Sequence, residues 1–179
     1  MPAAPPATAA LTGAVAFTDI VGFTEYNALR GDEEALQLLS LQETIVSSAL
    51  PDGARVVKEI GDGLLLWFPG ACDAIEATLA LQAQFEKASS ELDLPLWVRI
   101  GVHWGRPLRR RDDIVGHDVN VAARIVDIAG PGEVVVSEAM VAAMERVLDG
   151  IEFEELGPVM MKGIPDPVRL YRAARSGDC

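Results

Sequence analysis

A three-residue turn restricts most strongly what this chain can fold into. Gly61-Asp62-Gly63 separates two short runs of β-branched and large apolar residues, 55–60 and 64–68. Glycines supply the positive φ that so tight a connection needs, so the two runs read as a β-hairpin. Helical patterns flank it on both sides. Upstream, residues 32–50 begin with Asp32 and Glu33, repeat apolar positions at Leu36, Leu39, Ile45, Val46 and Ala49, and stop at Pro51-Asp52-Gly53. Acidic residues suit a helix's first turn, and a Pro-x-Gly sequence ends one. Downstream, residues 71–92 carry Asp73 in the first turn and place Ala74, Leu81 and Phe85 on one stripe. A short apolar strand, 13–18, precedes the first helix and another, 96–103, follows the second. The order is βαββαβ, the split ferredoxin-like unit.

Beyond this core lies a C-terminal α/β extension. A basic loop spans 105–113, and a helix spans 118–129 with Val119, Ala122 and Val126 facing inward, ended by Gly130-Pro131-Gly132. A strand at 133–136, a short helix at 138–148 and closing strands at 151–156 and 168–173 complete the pattern. The predicted class is α+β: a palm-like antiparallel sheet with the core helices on one side.

Half of the 179 residues are apolar and 23% are charged, which suits one folded domain. That domain is expected over 13–173. The first eighteen residues carry no charged side chain, but Pro2, Pro5 and Pro6 interrupt them and no basic region precedes an apolar stretch. Residues 1–12 are therefore read as a flexible linker rather than a signal or membrane segment, a point where a regulatory domain would join. Residues 174–179 read as a disordered tail. A formal net charge of −12 argues against general affinity for nucleic acid or anionic membranes. Cys72 and Cys179 are far apart with no metal-ligand spacing, which suits a reduced, cytoplasmic setting. The two histidines, His103 and His117, are too few for a histidine-based metal site and read as structural or surface residues.

Asp19 and Asp62 each lie where an apolar run ends, so each should project from a strand end. A carboxylate there is costly to desolvate without a cation or several donors. Two of them, with no base beside either in sequence, suggest hard oxygen ligands for a divalent ion. An acidic protein that takes an anionic substrate also needs local cations. The candidates are Lys58, four residues before Asp62; Arg99, inside the apolar Val98-Arg99-Ile100-Gly101-Val102; Arg124; and Lys162. Asn120 and Arg124 are four apart and share one helix face. Asp113 stands just before that helix. Taken singly, these are ordinary turn, cap and polar-face residues. No Ser-His-Asp set or phosphate-cradling Walker loop is visible.

Taken together, segments 17–24, 58–63, 99–105 and 113–124 resemble, in order and spacing, the class III adenylyl/guanylyl cyclase catalytic domain. The likeness covers about 13–172. It implies that Asp19 and Asp62, with the backbone carbonyl of Ile20, hold two divalent ions, magnesium or manganese. It implies that Lys58 and Asp113 read the purine edge, and that Asn120 and Arg124 orient the ribose and stabilise charge at the reacting phosphate. Arg99 and Lys162 would bind phosphate. Guanylyl cyclases of this family resemble Glu and Cys or Ser at the purine positions, so Lys58 and Asp113 point to ATP. The implied reaction is attack of the ribose 3′-oxygen on the α-phosphate, giving 3′,5′-cyclic AMP and pyrophosphate. The short 105–113 stretch resembles the bacterial subgroup with a trimmed dimerisation arm. In the family the metal half and the purine half of a site come from different subunits, which implies a head-to-tail homodimer with two composite sites. The alternatives are a guanylate cyclase and a catalytically silent nucleotide-binding or dimerisation module. A diguanylate cyclase would share the core, but its Gly-Gly-Asp/Glu-Glu-Phe hairpin is absent.

Overall fold

The computed structural model describes residues 8–177. In chain order it contains β1 (Gly13–Ile20), α1 (Phe23–Arg30), α2 (Asp32–Ala49), β2 (Arg55–Ile60), β3 (Gly63–Phe68), α3 (Ala71–Leu92) and β4 (Val98–Gly105). There follow the small hairpin β5 (Leu108–Arg110) and β6 (Asp113–Val115), then α4 (His117–Ile128), β7 (Val134–Ser137), α5 (Glu138–Ala142), β8 (Ile151–Val159) and β9 (Val168–Arg175). Seven strands form one sheet in the order β2-β3-β1-β4-β7-β9-β8. The first four are the ferredoxin-like core and are antiparallel throughout. The extension joins through β7, which runs parallel to β4.

Side-chain alternation along the strands builds two cores. Ala14, Ala16, Leu64, Leu66, Phe68, Ile100 and Val102 point to one face and pack with Leu38 and Val46 of α2 and Ile75, Leu81 and Phe85 of α3. Val15, Phe17, Leu65 and Trp67 point to the other, where Ala122 and Val126 of α4 cover them. The core helices therefore share one side, as expected, and α4 from the extension lies across the opposite face. Gly101 makes that approach close. A Cβ there would overlap the backbone of Val126, so α4 rests directly on β4 without a side chain between them.

Several local expectations differ from the structure. Helix α1 is not among the predicted elements: it buries none of its residues and so shows no apolar stripe. The buried face of α2 is Ala35, Leu38, Gln42 and Val46, while Leu36 is 61% exposed. The stretch expected to be a loop at 105–113 instead forms most of the β5–β6 hairpin, which runs on to Val115 with three residue pairs from Leu108–Val115 to Arg110–Asp113. Helix α5 ends at Ala142, and the chain then turns to bury Leu148. Strand β8 runs on to Val159 past a register shift, accommodating Pro158 because it is the sheet's edge. Strand β9 continues to Arg175, two residues into the segment expected to be a tail. Ala9 and Leu11 hydrogen-bond to the strand-like 107–109 segment, and residues 1–7 of the expected linker lie outside the described residues.

Candidate active site

The two aspartates stand at neighbouring strand ends. Asp19 is the seventh residue of β1, opposite Arg99 of β4 in the register, and Arg99 Nε donates to its carboxylate at 2.7 Å. Asp62 sits in the β2–β3 turn. A buried polar network holds that turn against β1: Thr18 Oγ1 donates to Gln42 Oε1 at 2.8 Å and accepts from the Leu64 amide at 3.0 Å. Gln42 Nε2 in turn donates to the Asp62 carbonyl at 3.0 Å. Gln42 is thus a site residue that a hydropathy pattern does not single out, a polar group buried because each of its ends is satisfied.

The carboxyl of Asp62 is held above the usual carboxylate range, first by burial and then by the charge of Asp19. The amides of Asp62 and Ile20 and the Arg99 guanidinium offset this only in part. Two carboxylates that repel each other in a partly desolvated corner form a donor set that fits a hard divalent cation. Among the described residues no group of three or more His, Cys, Asp or Glu could hold an ion, so the acidic donors at this corner are these two. Ile20 buries its side chain in the core while its backbone stays beside Asp62.

The purine pair predicted from sequence comes together. Lys58 Nζ of β2 donates to Asp113 Oδ2 of β6 at 2.6 Å, across 55 residues of chain. Arg55 reinforces this junction by donating to the Asp112 carbonyl at 2.9 Å. Burial pushes the Asp113 carboxyl up, but Lys58, the Ile114 amide and Arg110 outweigh it and hold the group below its ordinary range. Asp113 is therefore an acceptor throughout the physiological pH range.

Asn120 and Arg124 project from the exposed face of α4. Arg124 Nη1 lies 3.4 Å from Asp127, whose other carboxylate oxygen is 3.7 Å from Arg99 and whose carbonyl accepts from Arg99 at 3.3 Å. Asp127, which no sequence motif singles out, thus links Arg124 to the Asp19–Arg99 pair. Arg99, expected to meet phosphate, is engaged with Asp19 and Asp127. Lys162 is exposed in the β8–β9 connection, where its neighbours Met161 and Ile164 pack on Val121 and Ile125 of α4.

The cleft lined by Asp62, between α2 and the hairpin turn, encloses about 130 Å³. That is well below the roughly 300–1,000 Å³ of a small-molecule pocket. A hollow of about 740 Å³ between α3, β4 and β9 is larger but is lined by none of the candidate residues.

The comparison that decides the family is a match over residues 9–173 to the model of the adenylate and guanylate cyclase catalytic domain. The chain belongs to this family. The cyclase domain is 31% identical over 163 residues to the pH-sensitive adenylate cyclase of Mycobacterium tuberculosis, covering 90% of this chain and 40% of that protein. It is 31% identical over 157 residues to an adenylate cyclase of Streptomyces griseus, covering 87% of this chain and 38% of the relative. The chain thus spans about two-fifths of the length of these two relatives. Its fold superposes on the adenylyl cyclase CyaB from P. aeruginosa with a TM-score of 0.84 at 24% identity, covering 95% and 97% of the two chains. The guanylyl cyclase Cya2 gives 0.79 at 21% identity, covering 96% and 95%. Backbone shape therefore does not separate the two nucleotide specificities.

The cyclase fold also gathers a Ser-His-Asp set that the linear sequence does not reveal. His103 Nδ1 is 2.8 Å from Ser137 Oγ, and His103 Nε2 is 3.2 Å from Asp118 Oδ1. Ser137 is 0% exposed and its Oγ accepts from the Met140 amide, capping α5. It has no access to a substrate, so the set is structural and not a nucleophile.

Proposed function

We propose that the domain is a metal-dependent adenylate cyclase, converting ATP to 3′,5′-cyclic AMP and pyrophosphate at sites shared between two subunits. The observation that carries the reading is the Lys58–Asp113 pair at 2.6 Å. Adenine offers an acceptor at N1 and a donor at N6. An ammonium and a carboxylate held in its ionised form side by side match that order, whereas a carboxylate facing guanine O6 would meet a second acceptor.

Asp19, Asp62 and the Ile20 carbonyl would hold two divalent ions, magnesium or manganese. When bound, such ions lower the pKa of the ribose 3′-hydroxyl and neutralise charge on the phosphates. The chain's own groups do the rest by position and electrostatics. Asn120 orients the ribose, and Arg124 offsets negative charge growing at the α-phosphate. Lys162 and Arg99 contact the polyphosphate, Arg99 by shifting from Asp127 while keeping Asp19. Charge neutralisation at Asp19 by Arg99 also keeps the acidic corner from repelling an anionic substrate.

A head-to-tail homodimer belongs to this reading, because the likeness to class III cyclases implies that the metal half and the purine half of a site come from different subunits. The second wall would be the Lys58–Asp113 pair and α4 of a second copy. The lengths of the relatives support a regulatory domain elsewhere in the protein, and the cysteine usage supports a cytoplasmic location. Among the described residues no helix is long and apolar enough to cross a membrane.

The test is purified protein with ATP or GTP and Mg²⁺ or Mn²⁺, followed by quantification of cyclic AMP and cyclic GMP. Cyclic AMP is expected to dominate; no product with either ion at high protein concentration would refute the reading. The double variant Lys58→Glu/Asp113→Cys is expected to reverse the preference, changing the ATP-to-GTP ratio of kcat/KM by roughly 10- to 100-fold or more. An unchanged ratio would remove these two residues from purine recognition.

A further inference from the structure

Asn120 and Arg124 reach into solvent, so their aim is set by where α4 lies. The apolar contacts beneath α4, from Val121, Ala122, Ile125 and Val126, hold it down on the sheet. Such contacts are not directional, and they oppose sliding along the helix axis less than hydrogen bonds do. Directional bonds reach α4 at its two ends: Arg99 donates to the Asp127 carbonyl at 3.3 Å in the last turn, a contact given up when Arg99 turns to phosphate, and the first turn is held by Asp118. Its Oδ2 accepts from the Arg106 amide at 2.6 Å and its Oδ1 faces His103 Nε2 at 3.2 Å. Gly105 leaves room for this carboxylate: a Cβ there would occupy the space of the Asp118 side chain.

His103 is itself anchored. It lies in β4, is 8% exposed, and meets Ser137 Oγ with its other nitrogen. One neutral tautomer pairs every group. The Met140 amide donates to Ser137 Oγ, the Ser137 hydroxyl donates to His103 Nδ1, and His103 Nε2–H donates to Asp118 Oδ1. The relay joins the start of α5, the end of β7, the middle of β4 and the first turn of α4. Burial favours the neutral ring and lowers its pKa, while Asp118 raises it and His117 lowers it further. A protonated ring would turn the Ser137 hydroxyl away from Nδ1 and leave its hydrogen without a buried acceptor.

We infer that His103 and Asp118 are positioning residues: their relay fixes the axial setting of α4 and so aims Asn120 and Arg124 at the substrate. The inference rests on the cyclase reading for what the two side chains are aimed at, but not for the relay itself. Misplacing a catalytic group by about 1 Å can cost on the order of 100-fold in rate.

The two ring nitrogens can be separated by amide side chains. The longer amide introduced by His103→Gln would place its nitrogen near the former Nε2 and keep the bond to Asp118. The shorter amide introduced by His103→Asn would reach only the Ser137 side. His103→Asn is therefore expected to lower kcat about 10- to 100-fold with KM for ATP changed less than about threefold. It should also raise hydrogen exchange of the Val121–Arg124 amides at least roughly tenfold. His103→Gln is expected to stay within about threefold of wild type in both readouts. Asp118→Asn, at a partly exposed position, should repeat the His103→Asn signature and serves if that variant does not fold. Equal behaviour of the two His103 variants, or an Asp118→Asn protein with unaltered kcat and exchange, would overturn the inference. A wild type that makes no cyclic AMP would instead refute the cyclase reading, and the exchange comparison would still decide whether the relay sets α4.

Discussion

Asp62→Asn protein is expected to make less than about one-thousandth of the wild-type cyclic AMP, since losing an ion-holding carboxylate removes several kcal/mol of charge stabilisation. It is also expected to unfold at a higher temperature at neutral pH. The reason is the unfavourable setting of this carboxyl, raised above its usual range by burial and then by Asp19. A group whose native pKa is raised gives stability that is fully present below its unfolded value and lost as pH rises through the native one. At neutral pH wild type therefore carries an ionised Asp62 at a cost that asparagine avoids. The two changes have opposite signs, the pattern of a site that gives up stability for activity. Thermal unfolding with and without Mn²⁺ checks both parts: the ion should stabilise wild type and leave the variant unchanged. A variant that is active, or that loses stability at neutral pH, contradicts the role assigned to Asp62.

Arg124→Ala is expected to lower kcat about 10²- to 10³-fold, the usual result of removing one preorganised donor from a developing oxyanion. The KM for ATP should change little, because the guanidinium acts on charge that appears only in the transition state. The side chain is nearly half exposed, and its one ion pair among the described residues, to Asp127, lies on the same helix at 3.4 Å. Such a pair contributes little to stability, so the variant should unfold like wild type. Steady-state kinetics at saturating metal separates the two constants. A rise in KM with an unchanged kcat would make Arg124 a binding residue only.

The fold was legible where burial imposes a period and obscure where it does not. The Gly61-Asp62-Gly63 hairpin and α3 follow the sequence pattern closely because β3 is buried along its whole length and α3 carries a long apolar stripe. Helix α1 fully buries none of its residues, and the two that pack partly against the core, Phe23 and Tyr26, make no stripe to read. On α2 the buried face includes Gln42, whose partners Thr18 and Asp62 lie 24 and 20 residues away, so hydropathy placed Leu36 inside in its stead. The site shows the same division. The family resemblance paired Lys58 with Asp113, which lie 55 residues apart, and the β2–β6 junction places them within hydrogen-bond distance. Asp127, Gln42 and the His103 relay escaped notice because their significance lies in contacts across the sheet. No spacing along the chain announces that His103 meets Ser137, 34 residues on, in a buried bond.

The central claim is that each site combines the aspartates of one subunit with α4 of the other. Asp19→Ala and Arg124→Ala proteins, each nearly inactive alone, test it most directly when mixed and assayed for cyclic AMP from ATP and Mn²⁺. Random pairing would leave one intact composite site in each mixed dimer, so activity should return to about a quarter of wild type at equal amounts. Mixed dimers demonstrated by a tag on one variant, yet with no cyclic AMP above either parent, would contradict the shared site.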